Sequence, residues 1–132
     1  MAIDNLDDFG KKFNWFFECT IIGEPASKSN SRKLVKFGNR PAVIKSDKAR
    51  GYEKIFRGQC PVLEPLVTDD VILACHIFYA SRRPDLDESL IMALLQDYVI
   101  KNDRQIKAKI ILHGLDKENP HTIIKVARLS DS

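Results

Sequence analysis

The sequence has few cysteines and no long apolar run, and each shortage excludes a class of protein. Three cysteines in 132 residues, an odd number with no repeated spacing, argue against a disulfide framework and against a zinc cluster. The apolar runs fall far short of the ~20 residues that a membrane span needs. The acidic, polar start MAIDNLDDFGKKF lacks the pattern of a signal peptide. We therefore expect a cytoplasmic protein with no membrane partner.

What is present is the composition of an ordinary globular domain. Hydrophobic residues make up 44% of the chain and charged residues 30%. The length of 132 residues predicts one domain, which we place at residues 15–132 behind a loose leader, residues 1–14. His76 is a lone histidine beside Cys75 in an apolar run, so we do not expect it to bind a metal, because zinc sites need three or four ligands.

Hydrophobic periodicity predicts the element order βββαβαββ. The predicted fold class is α+β, a single domain with a mixed β-sheet and helices packed on it. In the strand at 105–113, alternation places Ile106, Ala108, Ile110 and Leu112 inward. The predicted elements are a strand at 15–22, a β-hairpin with strands at 33–37 and 42–45, a helix from Ser46 or Asp47 to Arg57, a buried central strand at 71–80, a helix at 86–98, and strands at 105–113 and 121–129.

Positive charge is concentrated in one stretch of the chain. Residues 28–57 contain ten lysines and arginines against two acidic residues, a net charge of +8. Such asymmetry favours a polyanion bound on one face. A lysine-rich solvated edge that discourages aggregation explains the charge equally well.

Two aspartates, Asp85 and Asp87, stand at the start of the predicted second helix. As helix caps they would each contribute roughly 0.5–2 kcal/mol. At a strand-to-helix corner both can also face one pocket, where two close carboxylates need a cation between them. Magnesium prefers such oxygen ligands, and a nuclease uses it to activate water. Arg82 and Arg83 would favour a phosphate nearby.

The segment RRPDLDESLIMALLQDYVIKNDRQIKAKI resembles the signature of the RusA-type Holliday junction resolvases. That family has an R-x-D-L-D-N core, an apolar helix, and a D-D-x-Q-[IV] link entering a strand. CTIIGEPASKSNSR resembles the opening strand and basic loop of the family, and KARGYEKIFR and VILACHIFY follow in the expected order. The resemblance covers about residues 16–129.

The resemblance implies a metal-dependent endonuclease. Asp85, Asp87 and Asp103 would be catalytic and would bind Mg²⁺ or Mn²⁺, without a small-molecule cofactor. A homodimer would nick opposed strands of four-way DNA junctions, in a bacterium or encoded by a phage. Phe37 and Tyr52 would stack at the branch point or pack in the core. The residues expected to contact DNA are Lys28, Ser29, Asn30, Arg32, Lys33, Arg40, Arg82 and Arg83.

The chain departs from the family pattern at three places. Glu88 replaces an asparagine and is a candidate for an extra metal ligand, and Asn102 replaces an aspartate. A lysine one turn into the helix is replaced by Ile91 or Met92, so that Lys101 or Lys107 would have to supply the cation. Two other interpretations remain: a catalytically weak module that binds branched DNA, and a structural protein in which the aspartates are helix caps.

Overall fold

The computed structural model describes residues 15–26, 32–82 and 86–129, with the backbone alone for residues 32, 33 and 37. These residues confirm the predicted α+β class in a single domain, and the predicted leader lies outside them. The elements are β1 (Trp15–Ile22), β2 (Arg32–Phe37), β3 (Arg40–Lys45), α1 (Asp47–Gln59), β4 (Val71–Tyr79), α2 (Ser89–Leu95), a short 3-10 helix (Asp103–Gln105), β5 (Ile106–Leu115) and β6 (His121–Arg128).

Four strands form a mixed sheet in the order β1-β6-β4-β5. β4 is a central strand, antiparallel to β6 and parallel to β5. Its apolar, β-branched sequence suits a strand that is covered on both sides, and all of its residues except Phe78 are buried. The prediction of a central, doubly buried strand is confirmed.

The two helices pack on one face of this sheet. Tyr52 and Phe56 of α1 and Ile91 and Leu95 of α2 join the core cluster with Leu73 and its neighbours on β4. Tyr52 is only 2% exposed, so the core-packing alternative holds for it and a role in base stacking is excluded. The side chain of Phe37 lies outside the described residues.

The alternation predicted for β5 is only partly confirmed: Ile106 packs against the core cluster, whereas Ile110 and Leu112 are partly buried but are not among the residues packed against it. Ile111 packs against the core cluster, whereas Ala108 is exposed. The pairing with β4 shifts by one residue, because Val71 is opposite Ile106 but Ile72 is opposite Ala108. A one-residue shift moves every later side chain to the other face of the sheet, and alternation alone cannot reveal it.

Helix α1 begins as predicted and ends two residues later than predicted. The Ser46 hydroxyl accepts a hydrogen bond from the Ala49 N–H at 3.1 Å, which confirms Ser46 as the N-cap. Gly58 does not end the helix, which runs to Gln59. The Gln59 side-chain amide exchanges two hydrogen bonds with the backbone of Ile22, at 2.9 and 3.0 Å, and so fastens the helix end to β1.

Helix α2 is much shorter than the predicted span of 86–98. Its N-cap is Glu88, which makes no side-chain cap bond, so the assignment of the cap to an aspartate was wrong. The helix ends at Leu95, and Asp97 then adopts a positive φ of 72°, which few residues other than glycine, asparagine and aspartate tolerate. Neither this helix nor the other described one is long and apolar enough to cross a membrane.

The predicted β-hairpin is present as a separate two-stranded sheet. β2 and β3 pair antiparallel from Arg32 opposite Lys45 to Phe37 opposite Arg40. Gly38 and Asn39 form the turn, and Gly38 has a φ of +63° that glycine adopts without strain.

Candidate active site

Asp87 is held in place by the end of strand β4 and by the start of helix α2. Its backbone N–H donates a hydrogen bond to the Tyr79 hydroxyl at 3.2 Å, and Tyr79 is fully buried. Its Oδ1 accepts from the Ser89 backbone N–H at 2.9 Å and from the Ser89 hydroxyl at 2.6 Å. Asp87 therefore lies one residue before the N-cap, in a turn that its own carboxylate closes.

Three carboxylates affect the hydroxyl of Tyr79. Burial raises the pKa of Tyr79, and the negative charges of Asp87, Glu24 and Glu88 raise it further, against the opposing effect of the Asp87 N–H. The sequence did not single out Tyr79 or Glu24. A tyrosine that ends an apolar strand is ordinary core composition, and only the fold brings the acids around it.

Glu24 ties the end of β1 to β4 and α1. Its Oε2 accepts from the Ala80 backbone N–H at 2.9 Å, and its Oε1 accepts from the Lys48 ammonium at 3.0 Å. Burial would raise the pKa of Glu24, but the Ala80 N–H and Lys48 outweigh it, and the pKa lies below its ordinary value. Glu24 therefore stays ionised at neutral pH and adds negative charge near Asp87.

A cavity of about 310 Å³ opens beside Asp87, between α1 and α2. Its polar wall includes Lys45, Glu53 and Arg57, and Glu53 forms ion pairs with both cations. Leu90, Leu94 and Tyr98 are among the apolar residues that line it. Its volume is at the lower end of the range for small-ligand pockets, and it offers both cations and an apolar surface.

Asp103 is connected to this cavity through Gln96. Asp103 begins the 3-10 helix, and its backbone N–H donates to the Gln96 side-chain carbonyl at 3.0 Å. Gln96 lines the cavity together with Asp87, whereas Asp103 is not among the described residues that line it. Gln96 therefore lines the cavity and also holds the backbone of Asp103.

Gln105 explains the glutamine of the D-x-Q-I segment. Its amide nitrogen donates to the carbonyls of Val67 and Asp69 at 2.8 and 2.9 Å. Its carbonyl oxygen accepts from the N–H groups of Lys101 and Asn102, both at 2.9 Å. This glutamine therefore has a structural role: it fastens the link that carries Asp103 to the loop before β4.

Lys109 lies beside Met92, one of the two positions at which the resemblance led us to expect a lysine. Ile91 is fully buried, and the sulfur of Met92 lies 3.7 Å from the Lys109 ammonium. The same ammonium forms an ion pair with Glu88 at 2.9 Å. Lys109 of β5 therefore places a cation beside Met92, and the sequence did not single out this lysine for that role.

The residues expected to contact DNA are only partly described. Arg40 and Arg82 are exposed, and β2 carries Arg32 and Lys33 as backbone positions. The other predicted site residues, Lys28, Ser29, Asn30, Arg83 and Asp85, lie outside the described residues.

The resemblance implies a metal site formed by three aspartates. In the described ranges, no group of three or more histidine, cysteine, aspartate and glutamate side chains could hold a metal ion. Asp87 and Asp103 supply hard oxygen ligands, and magnesium proteins often use one or two carboxylates with water. The carboxylates are thus of the ligand type that Mg²⁺ prefers, and their assembly into one metal site stays a prediction.

No family model matches the chain, and no significant match was found among curated proteins.

Proposed function

We propose that the chain is a divalent-metal-dependent endodeoxyribonuclease of the RusA type that resolves four-way DNA junctions by paired nicks from a homodimer. The observation that carries the proposal is the placement of Asp87 in a cavity with Lys45 and Arg57, where Gln96 connects the wall to Asp103. Carboxylates and cations side by side suit a phosphodiester, because one set holds a metal and the other holds phosphate oxygens.

Asp87, Asp103 and Asp85 would hold Mg²⁺ or Mn²⁺, with Glu88 as a further candidate ligand. When bound, the ion supplies an activated water and neutralises charge on the phosphate. Cleavage would leave a 5′ phosphate and a 3′ hydroxyl. The protein would act in the cytoplasm on recombining or damaged DNA, in a bacterium or for a phage.

The side chains around Asp87 would limit its movement during the reaction. The Tyr79 hydroxyl holds the backbone of Asp87, and Ser89 holds its Oδ1. The carboxylate is therefore already positioned before the reaction would begin. Lys45 and Arg57 would draw a phosphate to the cavity, although Glu53 already shares both cations. Binding of DNA therefore competes with these exposed ion pairs, which contribute little to stability.

A second candidate is a module of the same fold that binds branched DNA without cutting it. Both positions at which the family pattern places a lysine are apolar here, and Ile91 is fully buried. The Lys109 ammonium contacts the sulfur of Met92, but it already forms an ion pair with Glu88. Such a module would bind junctions with a steep salt dependence and would leave the phosphodiester intact in every metal.

The test is single-turnover cleavage of a labelled four-way junction with Mg²⁺, Mn²⁺ or EDTA. We expect metal-dependent cuts that Asp87→Asn and Asp103→Asn each slow by about two to four orders of magnitude, the range for a positioned catalytic group. The control is Asp70→Asn, an exposed aspartate directly before β4 and outside the cavity. Tight binding without cuts in any metal supports the module instead, and equal activity in all four proteins contradicts the assigned site.

A further inference from the structure

The β2–β3 hairpin has one face that is open to solvent. Leu34 lies opposite Val43 in the register, and these apolar side chains are 71% and 62% exposed. Residues that are directly opposite in an antiparallel pair share a face, and every second residue along each strand returns to it. Lys36 and Lys45 are therefore on this face with the Leu34–Val43 pair, and both are exposed.

The other face of the hairpin is more covered. Val35, Ala42 and Ile44 alternate with the exposed residues and are all partly buried. A ribbon of two strands is marginally stable alone, so burial of this face is expected to support it. The exposed Leu34–Val43 pair is thus not needed for the core, and two large apolar side chains that are exposed side by side are available to a partner.

The charge of the hairpin identifies the kind of partner. Residues 32–45 contain five basic residues and no acidic one. A second copy of the same ribbon would be repelled, whereas a polyanion would be attracted. Among polyanions, DNA also offers apolar surface where base pairs unstack, and minor-groove and architectural proteins insert apolar side chains between base steps there.

The position of Leu34 and Val43 relative to the cavity of Asp87 agrees with DNA as the partner. Lys45 lies at the base of the hairpin and lines the cavity that contains Asp87. Val43 is two residues further along the same face, roughly 7 Å at the rise of a β-strand. Because phosphates on one DNA strand are separated by about 3.4 Å along the helix axis, this distance corresponds to about two nucleotides.

We propose that Leu34 and Val43 form an apolar wedge that enters the unstacked base step of a DNA branch point while the basic residues of the hairpin hold the flanking phosphates. The proposal rests on the branched-DNA binding in the proposed function, and it does not need cleavage. It assigns to this pair the preference for a branch over a continuous duplex, because only a branch offers a step that opens at low cost.

The experiment measures binding and base unstacking in EDTA, without cleavage. The substrates are a four-way junction with 2-aminopurine at the branch point and a linear duplex with the same base. We expect wild-type protein to raise 2-aminopurine fluorescence in the junction. The double variant Leu34→Thr with Val43→Thr keeps residues that suit a strand. It should bind the junction about tenfold more weakly, bind the duplex unchanged, and give no fluorescence rise.

The matched control is Val62→Thr, another exposed valine, 55% accessible and outside the hairpin, which should behave as wild type. Thermal melting checks that each variant is folded. Unchanged fluorescence with wild-type protein, or equal junction binding by wild type and double variant, overturns the wedge. A change of the sedimentation mass in the double variant also overturns it, because the pair would then join two copies of the chain.

The result separates the wedge from the nuclease proposal. A protein that unstacks the branch but never cuts supports the wedge and contradicts the nuclease. A protein that cuts junctions without unstacking the labelled base contradicts the wedge alone.

Discussion

Tyr79 and Ser89 decide where the carboxylate of Asp87 lies. The D-L-D pattern drew attention to Asp87 in the sequence, because one helix cap does not account for two alternating acids at a strand-to-helix corner. It could not select Tyr79, whose hydroxyl meets the Asp87 N–H across eight residues of chain. Contacts of this kind depend on the path of a loop, and local residue spacing does not encode that path.

His76 shows how one buried side chain should make the fold sensitive to acid. It is 6% exposed and stacks on Phe78, with ring centroids 4.1 Å apart. Burial lowers the pKa of His76 below 6.5, and the nearby His121 and His113 lower it further. Because the folded state binds this proton more weakly than the unfolded chain, stability from His76 is present above pH 6.5 and is lost as the pH falls through the lowered pKa.

The substitution His76→Phe should therefore make stability less dependent on pH. We expect the loss of unfolding free energy between pH 7 and pH 5, measured by urea denaturation, to be smaller in the variant than in wild type. The aromatic ring is retained, so the stacking with Phe78 should persist. An identical loss in both proteins would show that His76 does not carry the acid sensitivity.

At the scale of elements, β5 is longer than the pattern of apolar residues predicted. The strand was predicted to end at residue 113, but Gly114 lies inside β5 opposite Phe78. A Cβ at this position would lie 2.5 Å from the nearest carbon of the Phe78 ring, and His76 and His121 stack on either side of that ring. A glycine inside a strand is here required by the close approach of an aromatic ring.

Two glycine substitutions are expected to have opposite effects on stability, and the first of them tests the packing of Phe78 on Gly114. Gly114→Ala should destabilise the fold by about 1–3 kcal/mol, the usual cost of an overpacked core. Gly51→Ala should stabilise it by about 0.5–1 kcal/mol, since Gly51 lies inside α1 and an added Cβ meets nothing within 4 Å. Urea denaturation midpoints measure both. A harmless Gly114→Ala would mean that the Phe78 ring is free to move aside.

For the whole molecule, the order of elements followed from the sequence, but the way they assemble did not. Hydrophobic periodicity predicted six strands and two helices. It also predicted that β4 is central, because a strand that is buried on both faces has a continuous apolar sequence. It did not give the sheet order β1-β6-β4-β5 or the parallel pairing of β4 with β5. That pairing puts Lys109 of β5 beside Glu88 and Met92, a contact between residues about twenty positions apart.

The distribution of charge across the molecule was predictable, and its use is the central claim. Lys45 of the basic hairpin lines the same cavity as Asp87, so a DNA strand bound along the hairpin would reach that cavity. Two such sites in a homodimer would cut two strands of a junction together.

The most direct measurement of this claim is cleavage of a supercoiled plasmid that extrudes a cruciform. A single nick relaxes the plasmid and reabsorbs the cruciform, so a linear product requires two coordinated cuts. With Mg²⁺ we predict linear plasmid cut at the cruciform by the wild-type protein, and none with Asp87→Asn, with EDTA, or with a plasmid that lacks the inverted repeat. No product in any divalent metal, or equal nicking of plasmids with and without the cruciform, would contradict the assignment.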